Sequence, residues 1–153
     1  MTNEQLKEKI LTIVPQAQTE QSKQYLNVVV AAADLRKLCL ELKNNADLAF
    51  DYMFCLSGVD DGKILSVVYH LNSVKHKHSI VVKIKTDDRV NATVDTVCDI
   101  WLTANPLERE VFEMYGITFT NHPDLRLLLL DETYKGYPLR KDYVDEVNML
   151  DME

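Results

Sequence analysis

Hydrophobic side chains recur at helical spacing in the first part of the chain. Residues 3–14 carry apolar side chains at positions i, i+4, i+7 and i+8, which predicts an amphipathic helix ending at Pro15. Residues 16–23 are polar and are expected to form a loop. Residues 25–30 are rich in β-branched side chains and predict a strand, and residues 32–43 return to helical spacing.

The pattern changes to strand alternation in the middle of the chain. An apolar run covers residues 51–57, and apolar and polar positions then alternate over residues 64–72 and 79–85. Two alternating runs joined by a short polar segment predict a β-hairpin, here with a basic loop. Residues 91–102 are expected to form a short helix.

A further helix is predicted to begin at Asn105 and Pro106 and to end at Gly116. Asn can cap free backbone N–H groups, Pro suits the first helical position, and Gly suits the left-handed residue that ends a helix. Beyond Gly116 the chain has little periodicity and two prolines, which indicates an extended segment.

Three charged residues of this helix carry structural expectations. Glu108 falls on the apolar face, where a carboxylate needs a basic or backbone partner, and the basic pair at residues 140–141 could supply one. Arg109 and Glu113 stand at i,i+4 on the opposite face and are expected to pair with each other.

The order of elements predicts an α+β fold. We expect a single two-layer domain with a mixed β-sheet, helices packed mainly on one face, and an extended C-terminal segment. Within this domain, residues 1–103 are expected to form the α+β core, and residues 104–153 the late helix and an extended docking segment. The residues alone favour packing of this segment as a strand and loop on its own domain over docking on a partner subunit.

Several short blocks follow in fixed order from Glu108 to Tyr143. Their members are Glu108, Arg109, Glu110, Met114, Gly116, His122, Pro123, Leu125, Arg126, Gly136, Pro138, Arg140, Lys141, Asp142 and Tyr143. In order and spacing these blocks closely resemble the C-type subunit of respiratory NADH–quinone oxidoreductase (complex I). That family includes the equivalent subunits of membrane-bound hydrogenases and F420H2 dehydrogenases.

The resemblance implies a structural role. Members of the family bind no cofactor themselves, whereas quinone, iron–sulfur clusters and NADH or another donor are held by other members of the complex. The resemblance further implies docking on the D-type subunit, which lines the quinone site, on the cytoplasmic side of the membrane. The fifteen block residues are then expected to form or support the partner interface.

Composition fits this picture and excludes other classes. A length of 153 residues suits one domain, and a net charge of −7 argues against a broad nucleic-acid surface. No apolar run approaches the length of a membrane-spanning helix. The N-terminus lacks a secretory signal pattern, so we expect the chain to stay in the cytoplasm.

The sequence offers little redox or metal chemistry. Cys39, Cys55 and Cys98 are widely spaced without a CxxC pair, and each is expected to be a reduced core residue. His76 and His78 provide too few ligands for a metal, and the four glycines form no phosphate loop. No catalytic, cofactor-binding or metal site is therefore predicted.

Besides an adaptor for some other complex that uses the same domain, two alternatives to the NADH-type complex stay open. One is the equivalent subunit of an energy-converting hydrogenase or of a formate or F420H2 dehydrogenase complex. The other is a small freestanding enzyme that uses Glu108 and His122 as acid and base, although His122 is expected mainly to fix the loop after the helix.

Overall fold

The structure is a computed structural model that describes residues 2–22, 24–86 and 88–145. Its helices are α1 (Asn3–Ile13), α2 (Leu35–Asn44) and α3 (Ala104–Tyr115). Its strands are β1 (Gln18–Gln21), β2 (Leu26–Val30), β3 (Tyr52–Asp60), β4 (Leu65–Ser73), β5 (His78–Lys85), β6 (Thr93–Asp95) and β7 (Thr118–Thr120). The final part of the expected docking segment, residues 146–153, lies outside the described residues.

Five of the strands form one mixed sheet in the order β1-β2-β5-β4-β3. The pair β2–β5 is parallel, and the other neighbours are antiparallel. Strands β6 and β7 form a separate parallel pair. Parallel neighbours need a crossover connection, and α3 supplies it between β6 and β7. The expected α+β fold with a mixed sheet is confirmed.

One face of the large sheet is buried against the helices. Pairing aligns Leu26, Ile80 and Leu71 in one row across β2, β5 and β4, and burial alternates along β4. The buried side chains of this face share one hydrophobic cluster with those of the helices, including Leu6, Ile10, Leu38, Leu42 and Val111. Burial of this apolar surface is the main favourable contribution to folding. The expected two-layer arrangement is confirmed.

Two of the expected elements are wrong. Part of the expected loop 16–23 is the edge strand β1, which a polar sequence can form because an edge strand needs only one neighbour. The expected helix 91–102 is instead β6 followed by turns. Trp101 lies in these turns and donates its indole N–H to the carbonyl of Phe50 at 3.0 Å. This hydrogen bond to the residues before β3 stabilises the turns.

Helix α3 ends as expected and begins slightly earlier. Gly116 has φ +71° and donates its N–H to the carbonyl of Phe112, so a left-handed residue stops the helix. The helix starts at Ala104, and Asn105 lies inside it rather than capping it. None of the helices in the described ranges is long and apolar enough to cross a membrane.

Candidate partner interface

Two charged side chains of α3 hold the backbone of the segment that follows β7. Arg109 donates from Nε to the carbonyl of Arg126 at 3.0 Å and from a terminal nitrogen to the carbonyl of Leu127 at 2.8 Å. One turn later, the buried carboxylate of Glu113 accepts the backbone N–H groups of Leu128, Leu129 and Leu130 at 2.7–3.2 Å. Together these contacts fix residues 126–130 along the helix, and we call them the α3 clamp.

The α3 clamp overturns the expected ion pair between Arg109 and Glu113. Both side chains are directed at backbone groups, the cation at carbonyls and the carboxylate at N–H groups. Hydrogen bonds to a charged group are stronger than those between neutral groups, so this arrangement holds the segment more firmly than a surface i,i+4 pair would.

A second set of contacts ties residues 140–142 to the sheet. The carboxylate of Asp60, at the end of β3, accepts hydrogen bonds from both terminal nitrogens of Arg89 at 2.5 and 2.8 Å. It also accepts the backbone N–H of Lys141 at 2.8 Å. Arg89 also contacts Asp142 at 3.0 Å. The hydrogen bonds from Arg89 are the main reason why the pKa of Asp60 lies below its ordinary value. We call this set the Asp60 clasp.

The basic pair at residues 140–141 therefore does not meet Glu108, and that expectation is wrong. Arg140 donates to the carbonyl of Arg89 at 2.5 Å and lies over the ring of Tyr137, with its guanidinium carbon 4.8 Å from the ring centre. Lys141 belongs to the Asp60 clasp through its backbone. Both residues therefore help to attach their own segment to the sheet, instead of pairing with the carboxylate of Glu108.

Two glycines allow aromatic rings to pack closely against the segment. A Cβ on Gly116 would lie 2.5 Å from the Tyr137 ring, and one on Gly136, where φ is +92°, would lie 2.8 Å from the Tyr143 ring. The hydroxyls of Tyr143 and Tyr134 are 2.6 Å apart. Pro138, which follows Tyr137, is half-buried. The backbone N–H of Leu139 donates to the carbonyl of Met114 at 3.2 Å.

The held segment stays on the outside of the molecule. Every residue from 121 to 145 keeps some exposed surface, although the side chain of His122 is buried and the α3 clamp and the Asp60 clasp fix the segment at two places. Its exposed large apolar side chains are Leu128, Leu129, Tyr137, Leu139 and Val144. We call residues 126–145 with these side chains the apolar strip. Exposed apolar side chains on a fixed backbone are typical of a protein-binding surface.

Glu108 is fully buried and takes its partners from the turn after β6. One carboxylate oxygen accepts the hydroxyl of Thr96, and the other accepts the N–H of Val97 at 2.8 Å. The Nε2 atom of His122 is 3.8 Å from the same carboxylate. Burial raises the pKa of Glu108 to about 7, against the opposing effect of the two hydrogen bonds.

The ring of His122 links the loop after β7 to α3. Its Nδ1 accepts the N–H of Asp124 at 3.1 Å, so Nε2 carries the proton in this form and faces the carbonyl of Asn105 at 3.3 Å. The side chains of His122 and Glu108 are both fully buried. The pair fixes the loop in place.

The other residues of the sequence blocks lie around this loop. Pro123 and Arg126 are exposed, and Arg126 contacts Asp124 at 2.9 Å. Leu125 is partly buried against the core cluster. Glu110 is on the exposed side of α3, where it is available to a partner. The structure thus distributes the predicted residues over α3, the loop after β7 and the segment held by the Asp60 clasp.

Sequence reasoning missed the importance of Glu113, Asp60 and Arg89. Glu113 is assigned only to an i,i+4 pair by its spacing, because backbone N–H groups leave no trace in a sequence. Asp60 and Arg89 are 29 positions apart, and nothing in the local pattern connects them. The sequence gives only one indirect hint of their role: Asp60 is a charged residue at a position that continues the buried side of β3.

The structure also brings together three possible metal ligands that are separate in the sequence. A sulfur of Cys98, a carboxylate oxygen of Glu108 and a ring nitrogen of His122 lie within 4.8 Å of one another. Cys98 lines a cavity of about 530 Å³, together with Arg36, Thr96 and Asn105 among others. The remaining cysteines, Cys39 and Cys55, are free as well.

Comparisons with known proteins identify the family. Residues 28–147 match the family described as the 30 Kd subunit of respiratory-chain NADH dehydrogenase. A C-type subunit of NADH-quinone oxidoreductase from Chloroherpeton thalassium is 49% identical over 113 residues, covering 69% of this chain and 45% of that protein. The corresponding protein from Acidithiobacillus ferrooxidans is 39% identical over 127 residues, covering 77% of this chain and 62% of that protein.

Two other relatives widen the comparison. A protein of Phocaeicola vulgatus named as a combined C/D-type subunit of NADH-quinone oxidoreductase is 40% identical over 126 residues, covering 82% of this chain and 24% of that protein. A solved chain of the membrane-bound sulfane sulfur reductase, an archaeal respiratory membrane complex, superposes with a TM-score of 0.79. It is 27% identical and covers 94% of this chain and 86% of that chain.

The chain spans between 45% and 62% of the length of the first two relatives. The family match nevertheless extends over most of the chain, and the solved relative has the same fold. The resemblance found in the sequence blocks is confirmed, and the chain belongs to the family of the 30 Kd subunit of respiratory-chain NADH dehydrogenase.

Proposed function

We propose that this chain is a structural subunit of the hydrophilic arm of a membrane-attached electron-transfer complex of the NADH–quinone oxidoreductase type. It conducts no electrons, and it braces the protein that lines the quinone site. In this proposal NADH, quinone and the iron–sulfur clusters belong to other members of the complex. The complex holds the chain on the cytoplasmic side of the membrane as a peripheral component.

The observation that carries this proposal is the apolar strip. An unpartnered segment rich in Leu and Tyr would normally either collapse into the core or remain loosely held. Here Glu113 and Asp60 hold its backbone in place while the side chain of Leu129 remains 66% exposed. A surface fixed before binding loses less conformational entropy when a partner docks on it.

The partner we propose is the D-type subunit. Support comes from the Phocaeicola vulgatus relative, whose name joins the C-type and D-type proteins in a single polypeptide. Two proteins joined in one chain in a relative are good candidates for neighbours when they are separate chains. The apolar strip is the surface on which we place this contact.

A co-purification experiment tests the proposal. Leu129→Asp places a charge in the apolar strip, and we expect it to abolish co-purification with the D-type subunit expressed beside it while the melting temperature stays unchanged. Val74→Asp is the matched control, because Val74 is 61% exposed in the turn between β4 and β5. Equal co-purification of the Leu129→Asp protein and the wild type would contradict docking through the strip.

A second candidate function is the equivalent subunit of a complex with a different donor or acceptor, such as an energy-converting hydrogenase or a formate or F420H2 dehydrogenase. The likeness to a chain of the sulfane sulfur reductase supports this candidate, because that chain has the same fold and its complex is not named an NADH dehydrogenase. Identification of the proteins that co-purify with the native chain separates the two, since an NADH-type complex includes an NADH-binding protein.

A further inference from the structure

Three segments of the chain converge on one buried point beside α3. Cys98 comes from the turn after β6, Glu108 from α3, and His122 from the loop after β7. Their donor atoms lie within 4.8 Å of one another, and the His122 Nε2 atom is 3.8 Å from a Glu108 oxygen. Ligands around a tetrahedral zinc ion are separated by about 3.3 to 3.8 Å, given bonds of about 2.0 to 2.3 Å. Side-chain shifts of about 1 Å or less would therefore close the site.

The charges of the three groups match a divalent cation. A thiolate and a carboxylate contribute two negative charges, and a neutral imidazole contributes none, so a divalent ion makes the buried site neutral. Without an ion, Glu108 has only His122 within ion-pair distance in the described part of the chain. The nearby Arg36 is already engaged by both oxygens of Asp99, at 2.8 and 2.9 Å.

The surroundings supply an access route and an open coordination position. Cys98 lines the cavity of about 530 Å³, and Thr96 on the same wall binds Glu108. Asn121 and Pro123, the neighbours of His122, line it as well. Three protein ligands beside a cavity leave a fourth position for water or another small ligand, as in open zinc sites.

We propose that Cys98, Glu108 and His122 bind a redox-inert divalent transition-metal ion of the zinc class, with the fourth coordination position directed at the cavity. Thiolate, imidazole and carboxylate together are ligands that zinc accepts. The ion would join the turn after β6, α3 and the loop after β7. This inference goes beyond the structural role proposed above and does not depend on it.

Binding has a defined proton balance. The Cys98 thiol releases its proton to solvent, and so does the Glu108 carboxyl group in the molecules where it is protonated. His122 keeps one proton, which moves from Nε2 to Nδ1 so that Nε2 can bind the ion. The N–H of Asp124 then gives up its 3.1 Å hydrogen bond to Nδ1.

Cobalt titration of the full chain, stripped of metal, tests the proposal. Co²⁺ bound to a thiolate gives a near-ultraviolet charge-transfer band, and zinc should abolish that band by competition. We expect one ion per chain. Cys98→Ser should remove the band, and His122→Gln should weaken cobalt binding by more than about 10–100-fold, the loss typical of removing even an outer-shell partner.

The chain provides matched controls. Cys55→Ser removes a half-exposed cysteine of β3, and His76→Gln removes a histidine of the turn after β4 that contacts the carbonyl of Ala46. Neither should change the band or the affinity. The absence of a band in the wild type, its survival in Cys98→Ser, or its loss in His76→Gln would overturn the proposal.

A labelling experiment keeps the proposal testable if His122→Gln does not fold. In the wild-type chain, alkylation of Cys98 should be slower with zinc than without it, whereas Cys55 serves as the internal reference. Equal alkylation of Cys98 in both conditions would refute the site. Because this readout needs no partner protein, its failure is separate from any failure of the docking proposal.

Discussion

Glu113→Gln is the sharpest test of how the apolar strip is held. The Glu113 carboxylate accepts the N–H groups of residues 128–130 at 2.7–3.2 Å. A glutamine keeps one acceptor oxygen and turns an NH₂ group toward these donors. A hydrogen bond to a charged group contributes about 1.5–3 kcal/mol, and neutral bonds about 0.5–1.5 kcal/mol. We therefore expect the variant to weaken the attachment of residues 128–130 by about 2–3 kcal/mol.

Hydrogen exchange measures this attachment directly. Because every 1.4 kcal/mol is a tenfold change, the amides of residues 128–130 should exchange roughly 30- to 150-fold faster in Glu113→Gln. The core strands should keep their protection, since the hydrogen bonds of the Glu113 carboxylate within the described residues all go to residues 128–130. The urea midpoint should therefore fall much less than the local exchange rate rises.

Glu110→Gln provides the control for this prediction. Glu110 lies on the same helix and also loses one negative charge, but its side chain is exposed. Its exchange pattern should match that of the wild type, with a change in stability within about 0.5 kcal/mol. If amides 128–130 of Glu113→Gln stayed as protected as in the wild type, the α3 clamp would not be what holds the strip.

Two further predictions concern stability. Gly116→Ala should lower the free energy of unfolding by about 1–2 kcal/mol for its positive φ and by about 1–3 kcal/mol more for the clash with Tyr137. Gly62→Ala is the control, because Gly62 has φ +95° and a Cβ there would lie 3.9 Å from the nearest side-chain atom. It should show only the loss of about 1–2 kcal/mol that comes from the positive φ. If urea titration showed the same loss of unfolding free energy for both variants, the ring contact would be refuted. Asp60 has a lowered pKa when folded, so its contribution is present above its unfolded pKa and is lost as pH falls through the folded pKa. Asp60→Asn should accordingly be less stable than the wild type at pH 7, with the gap closing in acid; a gap independent of pH would rule out the clasp as its source.

Local patterns in the sequence determined the type of most elements. Periodicity of apolar residues identified α1, α2 and the β4–β5 hairpin, and Gly116 marked the end of α3. These features depend on contacts or dihedral preferences within a few residues. They failed at β1, a polar edge strand that pairs only with the neighbouring β2, and at β6, which exists through pairing with β7 on the far side of α3.

The resemblance to the family came from the order and spacing of short blocks within this one sequence, and all of these blocks lie inside the matched residues 28–147. It did not tell how that region is held. Arg109 and Glu113 have the spacing of an ion pair, yet both bind backbone groups of residues 126–130. The charged side chains of a helix bind the nearest polar groups, and tertiary packing decides which groups those are.

What the sequence by itself determined, then, was the kind of fold, the family and the irregular, extended character of the segment after α3. The tertiary structure alone decided the partners of the buried carboxylates, Glu108 and Glu113, and the meeting of Glu108 with Cys98 and His122. The physical reason is that every residue except proline carries the same backbone N–H group. A carboxylate satisfied by such groups leaves no complementary residue in the sequence to reveal its partner.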